Sequence, residues 1–235
     1  MSHVRYRFVD CRWSLDDAES GRRAYLSGHI PGAVFVDVER ELSGPAGAGG
    51  RHPLPEASSF AAAMSRAGIG AETFVVAYGS LGGAERLWWL LRHFGHGACA
   101  VIDLDAWQGP LSSGEETAEP AAFVPDARND DTIELDELAS RREELVVVDA
   151  RLAPRFRGEP NAVDRVPGRI PGALNAPWNG PLPELPGGEV AAYCGSGVTA
   201  CVVLHALHLA GRSGRLYPGS WSEWEQHAEL PVETG

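Results

Sequence analysis

The chain repeats itself, and the repeat constrains what it can fold into more than any other feature. Gly28-His29-Ile30-Pro31-Gly32-Ala33 returns as Gly168-Arg169-Ile170-Pro171-Gly172-Ala173. Asp10-Cys11-Arg12 and Asp149-Ala150-Arg151 stand at matching places before the two copies. An apolar run ends at Tyr78-Gly79 in the first half and at Tyr193-Cys194 in the second. The separation is too long for a solenoid unit, so the pattern implies two copies of one domain. The 235 residues accommodate two domains of about 100–120 residues each. Between them, Ser112–Asp131 is acidic, broken by Pro120 and Pro125, and lacks apolar periodicity. The expected organisation is a first domain over 1–118, a linker over 119–131 and a second domain over 132–235.

Each half reads as alternating strands and helices. Thr73–Tyr78, Leu145–Asp149 and Glu189–Tyr193 are short apolar runs suited to buried parallel strands. Ala84–Phe94 and Val198–Ala210 carry apolar residues at helical spacing. Ile133–Arg142 predicts a further helix, with Thr132 or Asp136 as its N-cap. The expectation is an α/β fold in which each domain has a central, mainly parallel sheet flanked by helices. Ligands of such sheets sit beyond the carboxyl ends of the strands, and Cys194 falls at one of those ends.

Charge and composition exclude several classes. The net charge of −12 is the reverse of a nucleic-acid binder's balance, and an anionic substrate would need local arginines against this background. No run of about 20 apolar residues could cross a membrane, and the first residues lack an apolar signal core, so a cytoplasmic location is expected. None of the four cysteines forms a Cys-x-x-Cys pair, so neither a metal nor another cofactor is expected. Cys11, Cys99 and Cys201 read as buried small hydrophobes.

Cys194 differs. It stands after a strand and before a helix, where unpaired backbone N–H groups converge. Gly195 and Gly197 let the loop curl its amides inward, and the following helix adds its positive end. An ordinary thiol, titrating near roughly 8.5, is only about 3% thiolate at pH 7. Raising that to roughly three-quarters needs about 2.7 kcal/mol of preferential stabilisation, within reach of several amides and a helix start. The same cradle suits a persulfide, whose charge lies one atom further out. Ser196 either reaches the same anion or bonds the turn's own backbone. Thr199 reads equally as a cap or a contact.

Cys194-Gly195-Ser196-Gly197-Val198-Thr199-Ala200-Cys201 resembles the active-site loop of the 3-mercaptopyruvate sulfurtransferase branch of the rhodanese superfamily. The resemblance extends over nearly the whole chain: through Gly28–Ala33, Arg86-Leu87-Trp88-Trp89, Asp149-Ala150-Arg151 with Arg155-Phe156-Arg157-Gly158, and Leu216–Trp224. It implies two rhodanese-like domains, the first catalytically silent. Gly79 stands in the repeat where Cys194 stands, so one active site per chain is expected. It also implies sulfur transfer through a Cys194 persulfide, with Ser196 a second catalytic residue and the loop residues Gly195, Gly197, Val198 and Thr199 contacting substrate. Two arginines would fix the carboxylate and ketone of the donor. Arg155 matches the first, and Arg165 is the nearest match to the second, although its register is displaced.

The neutral Gly195 and Ser196 favour 3-mercaptopyruvate over thiosulfate, because thiosulfate-type relatives are similar but carry basic residues in the loop. The implied partners are a small-molecule sulfur donor and a thiol acceptor, such as thioredoxin or a small thiol, or cyanide. Thiosulfate:cyanide transfer is the close alternative, and a non-enzymatic rhodanese-like binding module the more distant one. A cysteine phosphatase is disfavoured, since no arginine lies between Cys194 and His205. The departures from the pattern are Arg169 for a histidine, Asp103–Ala106 for an Asp-Gly-Gly turn, Pro218 for an aspartate, and a compressed stretch between Trp178 and Glu189. His29, with Asp16 or Asp17 near it, is read as either a packing residue or an aid to the catalytic hydroxyl.

Overall fold

A computed structural model describes residues 5–235. The chain divides into two compact units. One comprises the chain up to Gly44 together with Leu54–Arg128, and the other comprises Pro45–Pro53 and Asn129–Gly235. The short excursion Pro45–Pro53 therefore belongs with the second unit, an arrangement absent from the sequence reading.

The first unit contains strands β1 (Arg5–Cys11), β2 (Val34–Phe35), β3 (Thr73–Gly79) and β4 (Cys99–Val101), with helices α1 (Ser20–Ser27), α2 (Ala57–Arg66) and α3 (Gly83–His93). Its strands form one parallel sheet in the order β2-β1-β3-β4. The second unit follows the same plan. Helix α4 (Leu135–Arg141) is followed by β5 (Val146–Asp149), α5 (Ala153–Phe156), β6 (Leu174–Asn175), β7 (Val190–Tyr193), α6 (Ala200–Leu209), β8 (Arg215–Leu216) and α7 (Ser220–Trp224). Its sheet is parallel throughout, in the order β6-β5-β7-β8. The duplicated α/β architecture is thus the expected one. Most later strands join their sheet after a helix, while β7 follows β6 through a helix-free loop; either way the connection is long enough for the crossover that a parallel pair requires.

Two helix starts differ from the sequence reading. Helix α4 begins at Leu135, its N-cap Glu134 makes no side-chain cap bond, and Asp136 lies inside the first turn. Thr132 is instead occupied by a parallel bridge to Leu216, so sheet pairing competes with the cap and wins. Helix α6 begins at Ala200 rather than Val198. Val198 and Thr199 accept from the N–H groups of Cys201 and Val202, each three residues on, in a tighter turn that leads into the helix.

The repeated motifs build the same lock in each unit. In the second, Arg151 grips the Asp149 carboxylate through Nε and Nη2 and donates from Nη2 to the Gly168 carbonyl at 2.7 Å. The guanidinium lies over Tyr193, whose hydroxyl accepts from the Ile170 N–H at 3.1 Å. In the first, Arg12 grips Asp10 and the Gly28 carbonyl, and Tyr78 accepts from Ile30. Arg151 and Asp149 are fully buried, so this segment ties strand to loop rather than presenting a cation to a ligand. Above the second sheet, Ile133, Leu138, Val147, Ile170, Tyr193, Tyr217, Trp221 and Trp224 form a continuous core. Trp221 and Trp224 are completely buried, with their indole N–H groups donating to the Val166 and Pro231 carbonyls. That packing fixes α7, the element that frames the cysteine loop.

Candidate active site

Cys194 directly follows β7 and is 1% exposed. Its N–H donates to Ser220 Oγ at 3.1 Å, and its carbonyl accepts from the Trp221 N–H at 2.9 Å. The Gly195 carbonyl accepts from the Ser222 N–H at 3.0 Å and from Arg51 Nη2 at 3.2 Å. In a trans peptide the C=O and the following N–H point in opposite directions. Anchoring these two carbonyls outward on α7 and Arg51 therefore turns the Gly195 and Ser196 amides toward the interior of the loop. The Gly197 N–H reaches the Cys194 Sγ at 3.1 Å. Gly197 has φ +83, and a Cβ there would stand 2.5 Å from the Pro218 carbonyl oxygen, so the loop closes only with glycine.

Ser220 supports the loop from behind. It is a buried, non-glycine residue with φ +52, a conformation of measurable cost. Its hydroxyl donates to the Tyr217 carbonyl at 3.0 Å while accepting from Cys194. Val198 is buried and Thr199 makes no side-chain cap; both residues lead the loop into α6.

Ser196 is 7% exposed, and its partner is a side chain from the excursion. His52 Nδ1 lies 2.7 Å from Ser196 Oγ, and His52 is itself buried. The hydroxyl beside the thiol is thus held by an imidazole rather than by its own turn.

Two guanidinium groups cover Gly195. A Cβ at that position would lie 2.7 Å from Arg155 Nη2 and 3.0 Å from Arg51 Nη2. Arg155, at the end of α5, is oriented by Asp164, which accepts from Nε at 2.8 Å and from Nη2 at 2.5 Å. Burial opposes ionisation of Asp164, but the bonds and charges of Arg155 and Arg151 outweigh it and hold the carboxyl below its ordinary range. Asn161 fastens the same turn by accepting from the Val163 and Asp164 N–H groups. Arg51 is less comfortable: burial, reinforced by the like charge of Arg155, depresses its pKa.

Of the two arginines expected to act together, Arg155 is the one whose guanidinium lies nearest Gly195. The Arg165 Nη2 donates to the Glu225 carbonyl at 3.4 Å, and Arg165 lines a cavity together with Arg51 and Ser222. The arginine that does join Arg155 is Arg51. Neither Arg51 nor His52 was found by sequence reasoning. The available signal was an Arg-His pair between Gly49-Gly50 and Pro53, in a Gly- and Pro-rich stretch too long for a simple turn.

The remaining residues fall into place as packing. His29 belongs to the first unit, where it stacks on Tyr25 and places Nδ1 2.8 Å from the Tyr25 carbonyl, while Asp17 is paired with Arg23. Burial pushes the Cys11 thiol well up and the Cys99 thiol to about 11, which suits unreactive cysteines. Among the described residues, no cluster of three or more His, Cys, Asp or Glu side chains could hold a metal ion, and no helix is long and apolar enough to cross a membrane.

Comparison with known proteins bears on this geometry. The Rhodanese-like domain family model matches residues 1–108 and 133–227. The 3-mercaptopyruvate sulfurtransferase of Escherichia coli K12 is 37% identical over 266 residues, covering 97% of this chain and 92% of that one. A Mycobacterium tuberculosis protein provisionally named a thiosulfate sulfurtransferase is 39% identical over 261 residues, covering 97% and 90%. Among solved structures, a 3-mercaptopyruvate sulfurtransferase from Leishmania major superimposes with a TM-score of 0.80 at 29% identity, covering 97% of this chain and 72% of that chain.

Proposed function

The chain belongs to the rhodanese family, and from that premise we propose that it moves a sulfane sulfur from 3-mercaptopyruvate, through a persulfide on Cys194, to a thiol or cyanide acceptor. It is a sulfurtransferase. The observation that carries the finer reading is the convergence of a cysteine thiol, a His-bonded serine and two guanidinium groups on one loop.

The donor's carboxylate and ketone fit the paired guanidinium groups of Arg155 and Arg51, an arrangement suited to bidentate recognition of planar anions. So held, the donor sulfur faces Cys194. The thiolate attacks that sulfur, an S–S bond forms, and the C–S bond breaks with its electron pair passing to carbon. The leaving group is the enolate of pyruvate, and one proton completes pyruvate. Ser196, bonded to His52, stands at the loop as the donor of that proton. The persulfide's charge then falls among the inward amides, as stabilisation by preorganised dipoles requires. The outer sulfur leaves to the acceptor and restores the thiolate.

Thiosulfate is the second reading, favoured by the same two cations, since a dianion also suits them, and by the name of the M. tuberculosis relative. Mass spectrometry after incubation with 3-mercaptopyruvate is expected to find one added sulfur on the Cys194 peptide; an intact fold with no adduct rejects the mechanism. Turnover with 3-mercaptopyruvate is expected to exceed turnover with thiosulfate, and the opposite ranking selects the second reading.

A further inference from the structure

Beside the cysteine loop lies a cavity of about 410 Å³, lined by Gly50, Arg51, Arg165, Ser222, Glu225 and Gln226 among others. Its size falls within the range of small-ligand sites, about 300–1,000 Å³. Two of its walls are shared with the loop, because Ser222 and Arg51 both bond the Gly195 carbonyl.

The charges in this cavity do not balance. With 32 acidic against 20 basic residues, carboxylates outnumber cations, and arginines such as Arg12, Arg151, Arg155, Arg169 and Arg215 each hold one. Arg51 and Arg165 do not. Arg51 reaches only the Val163 and Gly195 carbonyls, at 3.3 and 3.2 Å, and its buried Nε has no partner. Arg165 has a single bond of 3.4 Å to the Glu225 carbonyl. The facing carboxylate, Glu225, is already bonded through Oε2 to the Val166 N–H at 2.9 Å. Two cations against one engaged anion leave the cavity a net attraction for negative charge.

Resting on the sulfurtransferase reading above, we infer that this cavity binds the anionic group of the sulfur acceptor, a small carboxylate-bearing thiol, with Arg165 as its anchor. Arg155 and Arg51 serve the donor over Gly195, whereas Arg165, in the cavity lining and held by one long bond to a carbonyl, serves the second substrate of the cycle. The transfer balances without a further reagent. The acceptor thiolate attacks the outer sulfur of the Cys194 persulfide, and R–S–S⁻ forms. The Sγ–S bond breaks, and its electron pair remains on Cys194 as thiolate.

The test loads the whole protein with 3-mercaptopyruvate and compares two acceptors, 3-mercaptopropionate and the neutral 2-mercaptoethanol. Arg165→Gln is expected to raise KM for 3-mercaptopropionate roughly tenfold, the scale of one charged hydrogen bond, and to leave 2-mercaptoethanol within about twofold. Arg165→Lys, which keeps the charge, is expected to retain most of the discrimination. Single-turnover pyruvate release is expected to be unchanged in both variants. An equal change for both thiols, or none, overturns the inference while leaving the donor reaction standing. Absence of any Cys194 adduct in the unaltered protein is a different outcome, which removes the underlying mechanism and the inference with it.

Discussion

At the scale of single residues, the site depends on groups whose surroundings decide their work. Arg155 owes its orientation to Asp164, and a guanidinium fixed in this way loses little freedom when it binds a carboxylate. Arg155→Ala is expected to raise KM for the donor by about 1.5–3 kcal/mol, or about ten- to hundredfold, measured by steady-state pyruvate release; an unchanged KM rejects the contact. Ser196→Ala and His52→Asn are each expected to lower kcat by about 10²- to 10⁴-fold, the ordinary yield of positioned proton transfer. The double variant is expected to lose little more than either single one, because the two act as a unit; additive losses would separate their roles. Cys194 and its glycines are legible in the sequence because a nucleophile between strand and helix has a local signature. Arg51 and His52 are not, since their pairing with Gly195 and Ser196 is made across 144 positions and leaves no periodic trace.

At the scale of elements, β3, β5 and β7 and helices α3, α4 and α6 follow from apolar runs, while the short edge strands leave no such run and element ends are decided by tertiary competition. Thr132 could have capped α4, but the bridge to Leu216 takes it. The Asp149–Arg151 lock is legible as a repeat, and its buried geometry assigns it to structure rather than to substrate. Removing one partner of a fully buried ion pair strands the other, so Arg151→Met is expected to destabilise the second unit by about 3–5 kcal/mol in denaturant unfolding. A change near zero would show that the pair is dispensable. The edge of the same sheet carries an exposed network in which Arg215 and Arg141 hold Glu137 and Glu189. The Arg215 bonds, joined by those of Arg141, draw the Glu137 carboxyl down from 4.5 to about 2. A carboxyl depressed in the folded state adds stability that is present above the unfolded value and lost as pH falls through the folded one. The difference in unfolding midpoint between the unaltered protein and Glu137→Gln is therefore expected to be full at pH 7 and to shrink between about pH 5 and pH 2. A difference independent of pH would contradict the pairing.

At the scale of the whole molecule, the chain holds two copies of one sheet, with Gly79 ending β3 where Cys194 follows β7. The halves are not interchangeable beads, because Pro45–Pro53 leaves the first unit's stretch of chain to pack with the second. Gly50 lies against the Gly219 carbonyl, and the Arg51 N–H donates to Ser222 Oγ at 3.0 Å. Hydrogen exchange under mildly destabilising conditions is expected to open the Arg51 amide together with the β7 and α7 amides, rather than with β1 and β3; exchange in step with β1 would deny the excursion its place. That placement sets an order on synthesis. The ribosome releases His52 and Arg51 long before Cys194 exists, and chains emerging N-terminus first fold in that order. The histidine and arginine must wait, undocked, until the last strand and α7 arrive. The Cys194 loop therefore meets the side chains that bond Gly195 and Ser196 only once translation has delivered the last elements of the second unit.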